Sequence, residues 1–399
     1  MNVASDLIIL GGGCSGLSLG MHLARLGGSC PRTVILESRT HYTNDRTWCF
    51  WGGFGCDSEQ LATRRWESFS ISTATDRVTR RCNENPYLMV SSKDFYDAAL
   101  REITQVPQIR LNMGTPVEGD VVKRNGLWHV VTEKGEYSAP WILDTRPGAN
   151  PPDGSPTSHQ PTLWQSFLGK EITVGEDLFD EGCAELMNFS ESNPESILFL
   201  YVLPYSKREA LVEATVFGPQ PMGAADLEQP FRTLAQHRLN GSLQTMGRTE
   251  HGILPMGMPV ENLQEDPTYV RAGLMAGGAR PSSGYAFQRI WRWSQACTSA
   301  LAEGRPPIPH PRDTTLTRAM DSLFLRVLRT HPELAPDLFL SLFSNVDPSR
   351  MARFMSDRGT LADCAAIISS LPSSPFLQEL PGAVAAALGR TSGKEKSSR

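Results

Sequence analysis

The chain has 399 residues, 40% hydrophobic and 20% charged, with a formal net charge of −5. That length allows a sizeable core and two or three domains, and the acidic balance leaves no footprint for nucleic acid. The eight cysteines are scattered and form no C-x-x-C pair, which argues against a zinc site or a disulfide scaffold and fits a reducing cytoplasm.

Asp6-Leu7-Ile8-Ile9-Leu10 predicts a short buried strand. Gly11-Gly12-Gly13-Cys14-Ser15-Gly16 follows and matches G-x-G-x-x-G. Leu17 to Leu26 then predicts a helix, and Thr33-Val34-Ile35-Leu36-Glu37 a second strand ending in an acid. Strand, glycine turn, helix and strand, with an acid about twenty residues on, form a dinucleotide-binding fingerprint. Gly11 allows the tight turn, Gly13 lets a pyrophosphate approach the backbone, and Gly16 lets helix and strand pack closely. The helix N-terminus, at Cys14 and Ser15, then faces the phosphates. Glu37 is placed to accept hydrogen bonds from an adenosine ribose. This fingerprint suits FAD as well as NAD. The segment His41 to Trp51 is not the third strand of a simple dehydrogenase and favours FAD. Arg46 is then a candidate pyrophosphate or flavin contact, or else a surface arginine.

Residues 64 to 143 predict short strands with a helix near Ser92–Thr104, a hairpin strand at Trp128–Thr132 and an apolar strand at Trp141–Asp144. Pro147 to Pro161 is rich in Pro, Gly, Asn and Ser, which marks a loop and a boundary. From 162 to 250, strand-like runs alternate with turns, as in an inserted substrate domain. Two of these runs, Ile197–Leu203 and Leu211–Phe217, read as antiparallel neighbours. Side chains alternate along a strand, so Glu213 shares a face with Leu211, Thr215 and Phe217. An ionised carboxylate on an apolar wall is costly, so its pKa rises and it becomes a proton donor near neutral pH. The alternative is that Glu213 points to solvent from a half-exposed strand.

Tyr269 to Trp293 carries Gly273, Gly277-Gly278 and Arg280-Pro281-Ser282-Ser283-Gly284 ahead of a helix-like stretch. A late glycine-rich turn of this kind returns the chain to the nucleotide domain, with Gly273 and Gly284 as candidate cofactor contacts. Residues 314 to 371 predict amphipathic helices, and 390–399 a polar, disordered tail. The division is therefore 1–160 for nucleotide binding, continued at about 266–310; 161–265 for substrate; 311–389 helical; and the tail.

The chain to about Pro381 resembles the lycopene cyclase family, the flavin-dependent carotenoid β-cyclases. Arg46-Thr47-Trp48-Cys49-Phe50-Trp51 resembles its R-T-W-x-F segment. Tyr201-Val202-Leu203-Pro204-Tyr205-Ser206 and Leu211-Val212-Glu213-Ala214-Thr215 resemble its Y-V-L-P-x-S and L-[IV]-E-x-T pair. Gly252-Ile253-Leu254-Pro255, Arg280-Pro281-Ser282-Ser283-Gly284-Tyr285-Ala286-Phe287 and Arg358-Gly359-Thr360-Leu361-Ala362-Asp363 resemble its later segments. The order and spread of these matches make the resemblance specific.

The resemblance implies an α/β fold: a Rossmann-type FAD-binding domain of the flavoprotein monooxygenase-like class, an inserted β-rich substrate domain and C-terminal helices. It implies FAD held reduced, with NAD(P)H as reductant and no net redox change. It implies a proton from Glu213 that closes the linear ψ-ends of lycopene, or of a related linear isoprenoid, into β-ionone rings. Tyr205, Phe217 and Trp164 are candidate wall residues for the cationic intermediate, each alternatively plain core packing. Many relatives carry a second acid beside the first; this chain has Ala214, so that adjacent pair is absent and product and substrate range stay open.

The N-terminus lacks the features of a signal peptide, and no apolar stretch reaches the ~20 residues that span a bilayer. A carotene must still come from a membrane. This predicts a cytoplasmic protein peripherally bound to the bilayer, with the helices around Leu323 and Leu338 resting on the interface or merely covering the core. Two other functions remain open. A redox flavoenzyme, such as a monooxygenase or prenyl reductase, shares the fingerprint; against it, Leu274 stands where flavin hydroxylases carry the Asp of a late G-D. A non-catalytic carrier of FAD and isoprenoid would not need Glu213.

Overall fold

A computed structural model of the chain describes residues 3–148, 160–189, 196–258 and 266–392. Most of the predicted 147–161 loop and the tail beyond 392 lie outside these residues.

Five short parallel strands form the nucleotide-binding sheet, in the order Tyr269–Arg271, Trp141–Asp144, Leu7–Leu10, Thr33–Leu36 and Ile109–Asn112. Leu7, Ile8, Ile9 and Leu10 are all fully buried, as a parallel strand covered on both faces requires. Leu7, Ile9 and Ile35 pack towards the helices Cys14–Ala24, Ser92–Thr104 and Phe287–Ala302. Ile8, Leu10 and Val34 pack on the other face, against Trp128, Val130 and Tyr137 of a four-stranded sheet. The predicted strands and the helix Ser92–Thr104 fall where the hydrophobic pattern puts them. The first helix begins three residues earlier than Leu17, because the backbone N–H groups that follow Gly13 already enter the helical turn.

The second sheet has seven strands, in the order Leu243–Met256, Leu163–Val174, Glu209–Gly218, Ile197–Pro204, Cys183–Phe189, Ser68–Thr73 and Arg77–Arg81. All its pairs are antiparallel except Cys183–Phe189 with Ser68–Thr73. The last two strands precede residue 160 in the chain. This sheet thus takes two strands from the stretch that chain order assigns to nucleotide binding. A small sheet of Thr47–Trp51, Tyr87–Ser91 and Arg64–Trp66 lies in the same early stretch.

One face of the seven-stranded sheet is covered by the helix Ala224–Leu239, through Leu227, Phe231 and Leu234. The opposite face looks onto the nucleotide domain and the C-terminal helices Thr315–Thr330, Ala335–Asn345, Pro348–Met355, Leu361–Ser369 and Ser373–Ser392. Residues Ala210 to Gly218 are therefore buried on both faces, which explains the apolar run around Glu213. Leu338 is 1% exposed and belongs to this core, so it cannot rest on a membrane. The last helix runs through residues 390–392, where the sequence predicts the start of a disordered tail.

Candidate active site

One continuous cavity of about 2360 Å³ runs between the parallel sheet, the seven-stranded sheet and the C-terminal helices. Gly11, Gly13, Cys14, Ser15, Glu37, Arg46, Glu213 and Gly284 all line it. Sequence-predicted residues more than 200 positions apart thus share one chamber. Gly16 and Gly273 stand just behind the nucleotide end. A methyl group on Gly16 would overlap the Gly11 carbonyl oxygen, so helix and turn meet there as the fingerprint requires. Gly273 has φ of +93°, and a methyl on it would lie 3.1 Å from Ser15 Oγ. Its amide donates to Nε2 of the buried His310 at 3.0 Å. Burial lowers the pKa of that imidazole to about 3, so it acts as a neutral acceptor.

This end fits the phosphates of a dinucleotide. No side chain caps the helix Cys14–Ala24, and a Cβ on Gly13 would meet no atom within 4 Å. The first-turn N–H groups therefore face open cavity, the arrangement that binds anions. Glu37 departs from expectation. Its Oε2 accepts from the Gly12 amide at 2.7 Å, and its Oε1 from the Arg39 amide and Nε at 2.8 and 3.0 Å. The carboxylate braces the glycine turn instead of presenting a free acceptor, because Arg39 reaches back over it. Arg46 lines the cavity and donates to the carbonyl of His251, on the substrate sheet. Beside Gly284, the buried Oε1 of Gln165 has no hydrogen-bond partner among the described residues, an acceptor left open towards the chamber.

At the other end, Glu213 is 8% exposed. Leu211, Thr215 and Phe217 line the cavity with it, as alternation along the strand predicts. Burial, then the nearby charge of Glu250, push its carboxyl up to about 8, while a hydrogen bond from Thr215 Oγ1 at 2.8 Å pulls the other way. Ala214 points to the opposite face, among Leu168, Leu200 and Val212 beneath the helix Ala224–Leu239. A second acid at that position would lie outside the chamber.

The chamber nevertheless holds a second acid. Gly169, on the strand between, is paired with Glu213 on one side and with Glu250 on the other. Both side chains flank this glycine, where a Cβ would lie 3.1 Å from Glu250 Cγ, 3.3 Å from Leu211 Cδ1 and 3.5 Å from Glu213 Cβ. Glu250 is 4% exposed. Its Oε2 accepts from Arg248 at 2.6 Å and from Thr47 Oγ1 at 2.9 Å. Arg248 also donates to Thr47 Oγ1 and to Glu171, both at 2.9 Å. Burial raises the Glu250 carboxyl too, but Arg248 and Thr47 oppose it, so of the two acids Glu250 is the better placed to carry the charge.

Tyr201 stands opposite Glu213 on the neighbouring strand. Its hydroxyl donates to Tyr87 at 3.0 Å, and Tyr87 and Tyr285 share a bond of 2.9 Å. Burial pushes all three phenols far up, so they stay neutral. Of the predicted wall residues only Phe217 lines the cavity. Trp164 is one residue out of phase with the cavity-facing Gln165 and Phe167, and Tyr205 sits at the strand end beneath Arg64. Sequence reasoning missed Glu250, Gln165 and the tyrosines; the available signal was Glu250 two residues ahead of Gly252-Ile253-Leu254-Pro255. Leu274 follows Gly273 directly and lines the cavity.

At the far rim, Ile368, Leu377 and Leu380 line the cavity while 57%, 64% and 44% exposed, and Leu361 nearby in the chain is 77% exposed. No helix among the described residues is long and apolar enough to cross a membrane.

This architecture is that of the monooxygenase-like flavoproteins. The structure matches a flavin-dependent brominase with a TM-score of 0.61 at 11% identity, covering 95% of this chain and 99% of that one. It matches a geranylgeranyl bacteriochlorophyll reductase-like protein from Thermoplasma acidophilum with a TM-score of 0.59 at 12% identity, covering 96% and 100%. A p-nitrophenol 4-monooxygenase from Pseudomonas putida gives 0.57 at 12%, covering 94% and 99%. The chain belongs to the lycopene cyclase family, whose model, described as lycopene cyclase protein, matches residues 6–380. A chloroplastic/chromoplastic lycopene beta cyclase of Capsicum annuum is 26% identical over 118 residues, a stretch that is 29% of this chain and 23% of that protein.

Proposed function

We propose that the protein is a carotenoid cyclase that closes the linear ψ-ends of lycopene, or of a related isoprenoid, into β-rings by proton addition and loss. The observation that carries this reading is Glu213: a carboxyl protonated up to about pH 8, on the apolar wall of a chamber that continues to a phosphate cradle. Its proton goes to the terminal isopropylidene double bond. The cation at the branched carbon is attacked by the next alkene, which closes a six-membered ring. Loss of a proton beside the ring junction leaves the β-ring.

The chamber exceeds the roughly 300–1,000 Å³ of a site for one drug-sized ligand, which suits a dinucleotide and a long hydrocarbon together. In this reading Gly11, Gly13, Cys14 and Ser15 would hold the phosphates of FAD, Gly16 and Gly273 would shape the turn, Arg46 and Gly284 would contact the cofactor, and Glu37 would fix the loop. FAD, once reduced by NAD(P)H, would supply negative charge to stabilise the cation without net electron transfer. Phe167, Phe199, Phe217 and Tyr201 offer aromatic faces to a carbocation and exclude water that would hydrate it. The exposed rim of Leu361, Ile368, Leu377 and Leu380 lies at the bilayer surface, from which the carotene enters.

The test is anaerobic turnover of lycopene in liposomes with dithionite-reduced FAD in D₂O, read by chromatography and mass spectrometry. One deuterium per ring, lost in Glu213→Gln, supports the cyclase. Product formed only with stoichiometric NAD(P)H oxidation would instead make it a prenyl reductase or monooxygenase.

A further inference from the structure

We propose that Glu250 accepts the proton released after ring closure, making it the second member of a buried acid–base pair with Glu213. The inference rests on the cyclase reading above. An isomerisation that takes up one proton must give one up, so the chamber needs a base as well as an acid. The Glu213 O–H bond breaks as a C–H bond forms at the end of the chain. The neighbouring alkene supplies the electron pair for the new C–C bond. A C–H bond beside the ring junction then breaks, its electrons become the ring double bond, and its proton passes to Glu250. Glu213 is left ionised and Glu250 neutral. Exchange of both carboxyls with solvent between turnovers reprotonates Glu213 and frees Glu250, with no net atom or electron gained.

Three observations point to Glu250 as this acceptor. It lines the same chamber as Glu213, from the second strand over, and Gly169 puts no side chain of its own between them, only the Leu211 methyl reaching over the glycine. Arg248 and Thr47 both hold Oε2, whereas no hydrogen bond from a described residue reaches Oε1. One oxygen is thus anchored in the charged form and the other is free to take a proton. The remaining groups facing the pair are poor bases. Burial keeps Cys49, Tyr201 and Tyr205 neutral, Arg46 and Arg248 are cations, and Glu171 is bound to Arg248. Thr47 also gains a purpose: it sits in the R-T-W segment, and its hydroxyl aligns the base.

The experiment compares wild type and Glu250→Gln as flavin-loaded proteins, under the turnover conditions described above. Three quantities are read: kcat, the position of the ring double bond, and the pH at which the Glu213 carboxyl band disappears in the infrared. Glu250→Gln should lose about 10²- to 10⁴-fold in kcat, the usual worth of a general base. Its residual product should contain rings with a displaced double bond or an added hydroxyl, because the cation loses its directed base. The Glu213 band should vanish at a lower pH than in wild type, since the like charge is gone. Glu250→Asp keeps the charge and should keep both the β-ring and the wild-type band. If Glu250→Gln does not fold, Arg248→Met/Glu250→Gln removes both charges of the ion pair and carries the same test. Unchanged kcat and ring composition in Glu250→Gln overturn the proposal and leave Glu213 to take its own proton back. No ring from any linear carotene with the flavin-loaded wild type overturns the cyclase reading itself.

Discussion

Arg280 and Asp321 form an ion pair at 3.1 Å with side chains only 2% and 4% exposed. The pair fastens the Arg280-Pro281-Ser282-Ser283-Gly284 turn to the helix Thr315–Thr330, and so one wall of the chamber to another. Arg280 also donates to the Phe354 carbonyl and lies 4.1 Å over the Phe354 ring. Removing Asp321 leaves the buried Arg280 with only Asp357, 3.8 Å away, as a counter-charge, which costs at most about 3–5 kcal/mol, whereas replacing both partners with apolar groups is far milder. Asp321→Leu alone should therefore unfold at a markedly lower temperature, and Arg280→Met/Asp321→Leu should recover most of the loss. Calorimetry of the three proteins checks this; equal loss in single and double variants would show that the pair is not the cause.

Glu213 ties activity to instability. Its folded pKa, about 8, is raised above the ordinary 4.5. Its favourable contribution is thus complete below pH ~4.5 and is lost as pH rises through ~8, at about 1.4 kcal/mol per pH unit between. The rate should fall over the same upper limb as the donor ionises. Glu213→Gln should abolish turnover yet unfold later than wild type at pH 8 to 9, with the advantage shrinking towards pH 5. Chemical denaturation of both proteins across that range measures it.

Gly13 separates cofactor binding from folding. Its φ is −82° and a Cβ there touches no atom of the protein. Gly13→Ala should therefore keep the melting temperature of the apoprotein within a few degrees, as expected for a change of about 0.5 kcal/mol or less. The added methyl fills the cradle and should weaken FAD binding at least tenfold by flavin fluorescence. Wild-type affinity in this variant would move the phosphates elsewhere.

Much of this was legible in the chain, for reasons that differ by element. Leu7 to Leu10 and Trp141 to Leu143 are apolar on both faces, so their burial follows from composition alone. Glu213 was visible because one acid interrupts an otherwise apolar strand-like run. Glu250 was not, because its strand, Leu243–Met256, is exposed and polar over its first half and gives no apolar wall to contrast with an acid. Its partnership with Glu213 depends on both strands lying beside Gly169, a register set by tertiary pairing. The adjacent position misled for the same reason: Ala214 is next to Glu213 in sequence but on the other side of the sheet. Leu338 showed helical amphipathicity correctly, but a pattern cannot say whether an apolar face meets core or membrane.

Gly169 should be intolerant of even one methyl. In Gly169→Ala the Cβ would lie 3.1 Å from Glu250 Cγ, 3.3 Å from Leu211 Cδ1 and 3.5 Å from Glu213 Cβ, pressing on the stems of both acids. The strand itself accepts alanine, so the fold should lose no more than about 1–3 kcal/mol from overpacking. Turnover should fall much further than stability. Steady-state rates set beside urea midpoints decide it; a rate loss explained by unfolded protein alone would deny the glycine a role in the site.

The exposed leucines separate substrate capture from chemistry. Leu361, Ile368 and Leu377 hold a large apolar surface in water that the core does not use, and two of the three continue into the chamber. Burying one such side chain in the acyl boundary gains about 1.5–3 kcal/mol, so three of them suffice for reversible binding. Leu361→Ser/Ile368→Ser/Leu377→Ser should therefore sediment poorly with vesicles. Its turnover of lycopene from liposomes should drop at least tenfold. With lycopene dispersed in detergent the variant should approach the wild-type rate, because Glu213 is untouched. Equal losses on both forms of substrate would mean that these residues shape the chamber instead of meeting the membrane.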